Sequence, residues 1–154
     1  MVRPGTPAEH ALKAASFVQA ARLLLSGGLA ERATAEAYYA AFHVAQALLA
    51  SAGMGAETHA GVHTLLARHF VKDGPLPASA ARTLSHLMTD RLLADYGVDR
   101  QLDAAGGAAS VAAAADLIRT MLPVLAERAP EADSAVRTLA AEIEALGAGM
   151  PPPA

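Results

Sequence analysis

Six histidines, three tyrosines and an arginine at the edge of an apolar stripe are the groups in this 154-residue chain best suited to moving protons or holding a phosphate. In AEAYYAAFHVAQALLASAG, Tyr38, Phe42, Ala45 and Leu49 follow the spacing of a buried helical stripe, while Glu36, Tyr39, His43 and Gln46 form a line of hydrogen-bonding groups on a neighbouring face. Polar groups in that setting need partners. Two readings are open: Tyr39 and His43 satisfy each other or a backbone carbonyl at a helix or dimer contact, or His43 is an acid-base histidine in a pocket.

His59 and His63 share one helical turn, the spacing of helical zinc sites, but Ala60 stands where a metalloprotease carries its general-base glutamate. With no cysteine and no evident third ligand, a helix-start or surface role is expected for the pair, and no metal or other cofactor. Arg68, His69 and Lys72 make a modest basic patch, and Arg82 and His86 an i, i+4 pair; both read first as solvated helix faces. Arg91 lies at the edge of the stripe Leu84, Leu87, Met88 and Leu92. Asp95, four residues on, offers it a local salt bridge; alternatively, its guanidinium enters a shared groove and binds a phosphate through paired hydrogen bonds.

The elements that must position these groups are helical. Alanine supplies 40 of the 154 residues and aromatics only 4%, a composition that favours helix and makes sheet-based enzyme folds improbable. Thr6-Pro7-Ala8-Glu9 is a capping box that starts a first helix, with apolar positions Leu12, Phe17, Leu23 and Leu24 and an end at Gly27-Gly28. A second helix runs from about Glu31 to Ser51, and a third, capped by Thr58, from His59 to Lys72. Ser79 is expected to cap a fourth that ends near Tyr96-Gly97. Val98 to Gly107 reads as irregular, Ser110 to Ala129 as a fifth helix kinked or divided at Pro123, and Glu131 to Leu146 as a last amphipathic helix. The expectation is an all-α, antiparallel up-and-down bundle of five to six helices in one domain over 1–146, with its core in 7–129, an additional helix over 131–146 and a flexible Pro-rich tail over 147–154.

Charge and hydropathy narrow the function classes. The longest uncharged stretch, Ala37 to Ala56, contains two tyrosines, His43 and Gln46, so no membrane span is expected. Lys13 and Arg22 interrupt any secretory leader, which makes a cytoplasmic location the default. Residues 1–91 carry 8 basic and 6 acidic side chains (+2) and residues 92–154 carry 4 and 9 (−5), which excludes a general polyanion binder but leaves room for a local basic patch.

The blocks AYYAAFH, THAGVHTLLARHFVKDG and RLLADY, in this order over about Glu31 to Tyr96, resemble the small HEPN domain proteins that accompany minimal nucleotidyltransferases in prokaryotic toxin-antitoxin modules. The resemblance implies a helical bundle that dimerises around an RNA-cleaving cleft. Active members there place Arg, four to six residues and then His, and the 2′-hydroxyl of RNA attacks the adjacent phosphate without a metal. Arg91 matches the arginine, but Tyr96 occupies the histidine position, and a phenol with a reference pKa near 10 is no near-neutral proton shuttle. The formal Arg3-to-His10 match is attributed to chance.

The candidate site residues are therefore Arg91 with His43 or Tyr96 as catalytic groups, and Tyr39, Asp95, Arg68 and Lys72 as binding groups. The implied partners are a second copy of the chain, RNA and a nucleotidyltransferase antitoxin, the last of which would silence the protein by adding AMP to Tyr96. The alternative is a catalytically inactive HEPN module that binds a nucleotidyltransferase or another protein through its helical surface.

Overall fold

The computed structural model describes residues 4–99 and 102–150. Among these residues there are six α-helices and no strand: α1 (Pro7–Ser26), α2 (Ala30–Ser51), α3 (His59–Leu66), α4 (Ala78–Tyr96), α5 (Ala104–Arg128) and α6 (Asp133–Ala148). A π-helical turn, Ala67–Val71, extends α3, and a 3-10 turn, Pro130–Ala132, leads into α6. The expected all-α bundle is what the chain forms.

Where a threonine caps a helix, the sequence places the start correctly. The Thr6 hydroxyl accepts from the Glu9 N–H at 3.1 Å and the Glu9 carboxylate accepts from the Thr6 N–H at 3.0 Å, so α1 starts at Pro7. Thr58 accepts from the Gly61 N–H at 3.0 Å and starts α3 at His59. Two other starts differ from expectation. α4 begins at Ala78 behind Pro77, without a side-chain cap, so Ser79 lies inside the helix. α5 begins at Ala104, six residues before Ser110, because the Asp103 carboxylate accepts from the Gly106 N–H at 2.7 Å. Gly106 and Gly107 therefore belong to a first helical turn and not to an irregular segment. Gly107 is needed there, since a Cβ would lie 2.6 Å from the Ala30 carbonyl oxygen at the start of α2. Pro123 sits inside a continuous α5.

α2 is the central helix, packed by α1 along one side, by α5 along another, and by α3 and α4 over its remaining faces; α6 closes the bundle against α1 and α5. The buried face of α1 is Ala11, Ala14, Ala15, Val18 and Ala21, while Leu12 is 50% and Leu23 64% exposed. This corrects part of the stripe expected for α1: small residues let α1 approach α2 closely, Leu12 and Leu23 turn outward, and Phe17 and Leu24 pack partly buried against the core. Leu92 of the expected α4 stripe is likewise exposed, whereas Leu84 and Leu87 are buried.

α5 is long and apolar enough by length and composition to span a bilayer. Its Val111, Leu117, Ile118, Met121 and Leu125 are nevertheless buried within the bundle, and the Asp116–Arg119 ion pair interrupts its length. The expected tail residues Pro151–Pro153 and Arg3 lie outside the described residues.

Candidate functional site

The middle of α2 presents two tyrosines, a phenylalanine and a histidine to three other helices. Tyr38 is wholly buried, and a buried phenol requires a partner for its hydroxyl. It has two: Oη lies 2.8 Å from His59 Nδ1 and 3.0 Å from His63 Nε2. The Thr58 cap and the single turn between His59 and His63 aim both imidazoles at the same oxygen. The His59 ring also stacks on Phe42, with centroids 4.2 Å apart and planes 10° from parallel. Burial raises the Tyr38 pKa well above the usual phenol range, although the nearby Arg91 charge pulls it down.

On the other side of Phe42, His43 meets His10 of α1, with Nδ1 to Nδ1 at 3.1 Å. Phe17 stacks on both Tyr39 and His43, at 5.3 and 5.5 Å between centroids. His43 thus finds its partner on α1 and not in Tyr39 or a backbone carbonyl, the pairings the sequence suggested. Burial, followed by the charges of His10, Lys13 and His59, lowers the His43 pKa to about 4, so the ring is neutral at neutral pH. Further along α2, Gln46 Oε1 is buried without a hydrogen-bond partner among the described residues. Burial first and Asp95 second raise the pKa of Glu36.

Arg91 reaches this cluster from α4. Its Nε donates to Asp95 Oδ2 at 3.2 Å, so the local pair anticipated from the i, i+4 spacing is present. Its guanidinium lies over the Tyr39 ring, 5.1 Å from the centroid, with Nη1 3.7 Å from Met88 Sδ. The side chain is only 13% exposed. Asp95 is also 3.5 Å from Arg32 Nη1, and Arg32 donates as well to the Ala94 carbonyl. Of the five guanidinium N–H groups on Arg91, those not directed at Asp95 and Met88 make no hydrogen bond among the described residues.

The imidazole that shares a neighbourhood with Arg91 is His59. The His59 and Tyr39 rings meet edge-to-face with centroids 6.1 Å apart, while Arg91 lies over the Tyr39 ring. Burial first and the Arg91 charge second lower the His59 pKa, and burial and His59 lower that of His63. Arg91 is not among the charges that act on His43.

Tyr96 points elsewhere. α4 continues through it to Gly97, whose N–H donates to the Leu93 carbonyl at 2.9 Å. Five residues turn an α-helix by about 500°, which leaves Tyr96 about 140° around the helix from Arg91. It is 70% exposed, and the structure does not join it to Arg91 within one protomer. A cavity of about 280 Å³ opens beside Asp95 and Gly97 and is lined also by Glu31 and Arg32. Arg68 and Lys72 are exposed at the π-helical end of α3. Among the described residues, no three histidine or acidic side chains converge as a metal site. His59 Nδ1 and His63 Nε2, the nitrogens that face each other, are both occupied by Tyr38.

Sequence reasoning paired Arg91 with Asp95 but set Tyr39 beside His43, and it missed the bonds that join Tyr38 to His59 and His63. The available signal was a hydroxyl in an apolar stripe, which must be satisfied, and two imidazoles on one face of the next helix.

A model of the HEPN domain matches residues 8–131 of the chain. A UPF0332 protein of Gloeobacter violaceus is 33% identical over 94 residues, covering 60% of this chain and 75% of that protein. A protein of Methanocaldococcus jannaschii, named as a candidate toxin, is 35% identical over 83 residues, 54% of this chain and 62% of its own. A UPF0332 protein of Pyrococcus horikoshii is 33% identical over 85 residues, 55% and 60%. The chain spans less than two thirds of the length of these last two relatives. With a match that runs from the first turn of α1 to the approach to α6, on a bundle of the expected helical class, the chain belongs to the HEPN domain family.

Proposed function

We propose that this protein is the RNA-targeting toxin or defence subunit of a nucleotidyltransferase–HEPN module and cleaves RNA without a metal at a groove built on Arg91. The observation that carries the reading is the state of Arg91: a guanidinium sequestered among helices, oriented by Asp95 and by the Tyr39 ring, and retaining N–H groups for a phosphate. A bound phosphate competes with Asp95, and Arg32 offers that carboxylate an alternative partner. The toxin name carried by the archaeal relative agrees with this reading. A second copy of the chain completes the groove. Arg68 and Lys72 supply outlying contacts for the strand.

The test is cleavage of a defined single-stranded RNA in EDTA. Loss of the Arg91 guanidinium in Arg91→Ala removes stabilisation of charge in the transition state and lowers kcat/KM about a hundredfold or more. Cleavage that survives Arg91→Ala contradicts the reading, as does cleavage that EDTA abolishes.

In this module the nucleotidyltransferase silences the toxin at Tyr96, whose exposed phenol at a helix end is open to an enzyme. In the modification, the phenol oxygen bonds to the α-phosphorus of ATP as pyrophosphate leaves, and the added AMP brings negative charge to the end of α4. Intact mass after co-expression with a small nucleotidyltransferase decides it. An AMP adduct lost in Tyr96→Phe supports the modification, and an adduct that persists in Tyr96→Phe excludes it.

A further inference from the structure

The polar chain His59–Tyr38–His63 has a direction, and that direction bears on what His59 can do. The Tyr38 hydroxyl has one hydrogen to give and faces two ring nitrogens, at 2.8 and 3.0 Å. With both rings neutral, one nitrogen must donate to Oη and the other must accept from it. If His59 Nδ1–H donates to Tyr38 and Tyr38 donates to His63 Nε2, His59 keeps a lone pair on Nε2. Reversing the chain puts the proton on His59 Nε2. Tyr38 is wholly buried and the His59 ring is clamped against Phe42, so the geometry is held from behind while the opposite edge of the ring stays free. Among the described residues nothing hydrogen-bonds His59 Nε2. Both His59 and Arg91 border the Tyr39 ring, His59 in a T-shaped contact and Arg91 over the ring.

We propose that His59 is the proton-transferring residue of the Arg91 site, with Tyr38 and His63 behind it as positioning residues that fix its tautomer. The proposal rests on Arg91 being the phosphate-binding group of an RNA-cleaving groove, and it names the imidazole that Tyr96 cannot supply. Arg91 holds the scissile phosphate. His59 Nε2 takes the proton of the 2′-hydroxyl, the 2′-oxygen bonds to the adjacent phosphorus, and the bond from phosphorus to the 5′-oxygen breaks. The leaving 5′-oxygen takes a proton from water, and the hydroxide so formed recovers one from His59. The products are a 2′,3′-cyclic phosphate end and a 5′-hydroxyl end. Burial and the Arg91 charge, which favour neutral His59, keep it able to accept a proton at neutral pH. His43 is not placed for this step: its Nδ1 faces His10, and Phe17 stacks on its ring.

The experiment compares variants by kinetics and by imidazole NMR on the full chain. In kinetics, His59→Gln lowers kcat on the order of a hundredfold, and His43→Gln changes it less than about threefold, far below the range of acid-base effects. His63→Leu, which leaves the Tyr38 proton free to turn onto His59 Nδ1, lowers kcat with KM unchanged and moves the acid limb of the pH profile. His63→Gln, whose amide oxygen can accept from Tyr38, recovers much of that loss; a merely structural role for His63 gives no such split or rescue. In NMR, uridine 3′-monophosphate shifts the His59 ring nitrogens, assigned by their loss in His59→Gln, in the wild type and not in Arg91→Ala. If the RNA-cleaving reading fails because the wild type does not cleave, the NMR arm still decides: a His59 shift that depends on Arg91 supports the shared site, and its absence overturns it. If Arg91-dependent cleavage survives His59→Gln, the proposal is overturned while the reading of Arg91 stands.

Discussion

Phe42 touches two pairs of histidines that meet similar physics and end in different chemical situations. On one side, His10 and His43 face each other through Nδ1 at 3.1 Å under the ring of Phe17. On the other, His59 and His63 converge on the Tyr38 hydroxyl. Burial lowers the pKa of all four rings, most for His43, so burial alone does not distinguish a working imidazole from a packed one. The partner does. A phenol can relay a direction to the imidazole it holds, and among the described residues His59 is the one of the four histidines whose ring contacts the Tyr39 ring that Arg91 covers. Neutral imidazoles are common wherever helices pack; one held from behind and open toward a guanidinium is an arrangement that can move a proton.

The largest effect expected from this comparison is on stability in acid, where the two pairs act together. Each of the four histidines has a folded-state pKa below its ordinary value, so the folded chain binds fewer protons than the unfolded one once the pH falls below about 6.5. Their contribution is fully present above that pH and is lost progressively as the pH falls toward the His43 value of about 4. Protonation also sets them against Lys13 and Arg91, with Glu9 the compensating charge beside His10. Glu36, raised by burial, works in the opposite direction as one group against four. Thermal unfolding should give a lower Tm at pH 5 than at pH 7, and the double variant His10→Gln/His43→Gln should flatten that slope. An unchanged or higher Tm at pH 5 would remove the basis for treating these rings as held neutral.

A smaller effect separates the two sides. Thr6 caps α1, which carries His10, and Thr58 caps α3 immediately before His59. Replacing either by alanine costs about 1 kcal/mol of stability, as loss of a helix N-cap does. Only Thr58→Ala should also slow RNA cleavage, because it loosens the turn that aims His59 at Tyr38. Equal losses of activity in the two variants would mean that general stability, and not the placement of His59, limits the reaction.

The sequence announces these elements unevenly. Thr6 and Thr58 declare their helices because the capping group and its target N–H lie three residues apart. Asp103 caps α5 in the same way, yet Gly106-Gly107 masked it, because two glycines read as a break unless the approach of the α2 backbone to Gly107 is known. Leu12 and Leu23 misled for a related reason: the choice between a leucine face and an alanine face is settled by how closely α2 approaches, which α1 alone does not encode. In the candidate site, Arg91 with Asp95 was legible as a local i, i+4 pair. The bonds from Tyr38 to His59 and His63 join residues 21 and 25 positions apart on different helices, so they exist only once α3 has packed on α2.

The central claim is that Arg91 and His59 act on the same phosphate, and a double-mutant cycle on EDTA-resistant RNA cleavage tests it most directly. Rates are measured for the wild type, Arg91→Ala, His59→Gln and the double variant at one pH near neutrality. Groups that serve one transition state are strongly non-additive, so the double variant should be little slower than the worse single variant. A double variant whose loss equals the product of the two single losses would show that Arg91 and His59 work independently, and would contradict the account.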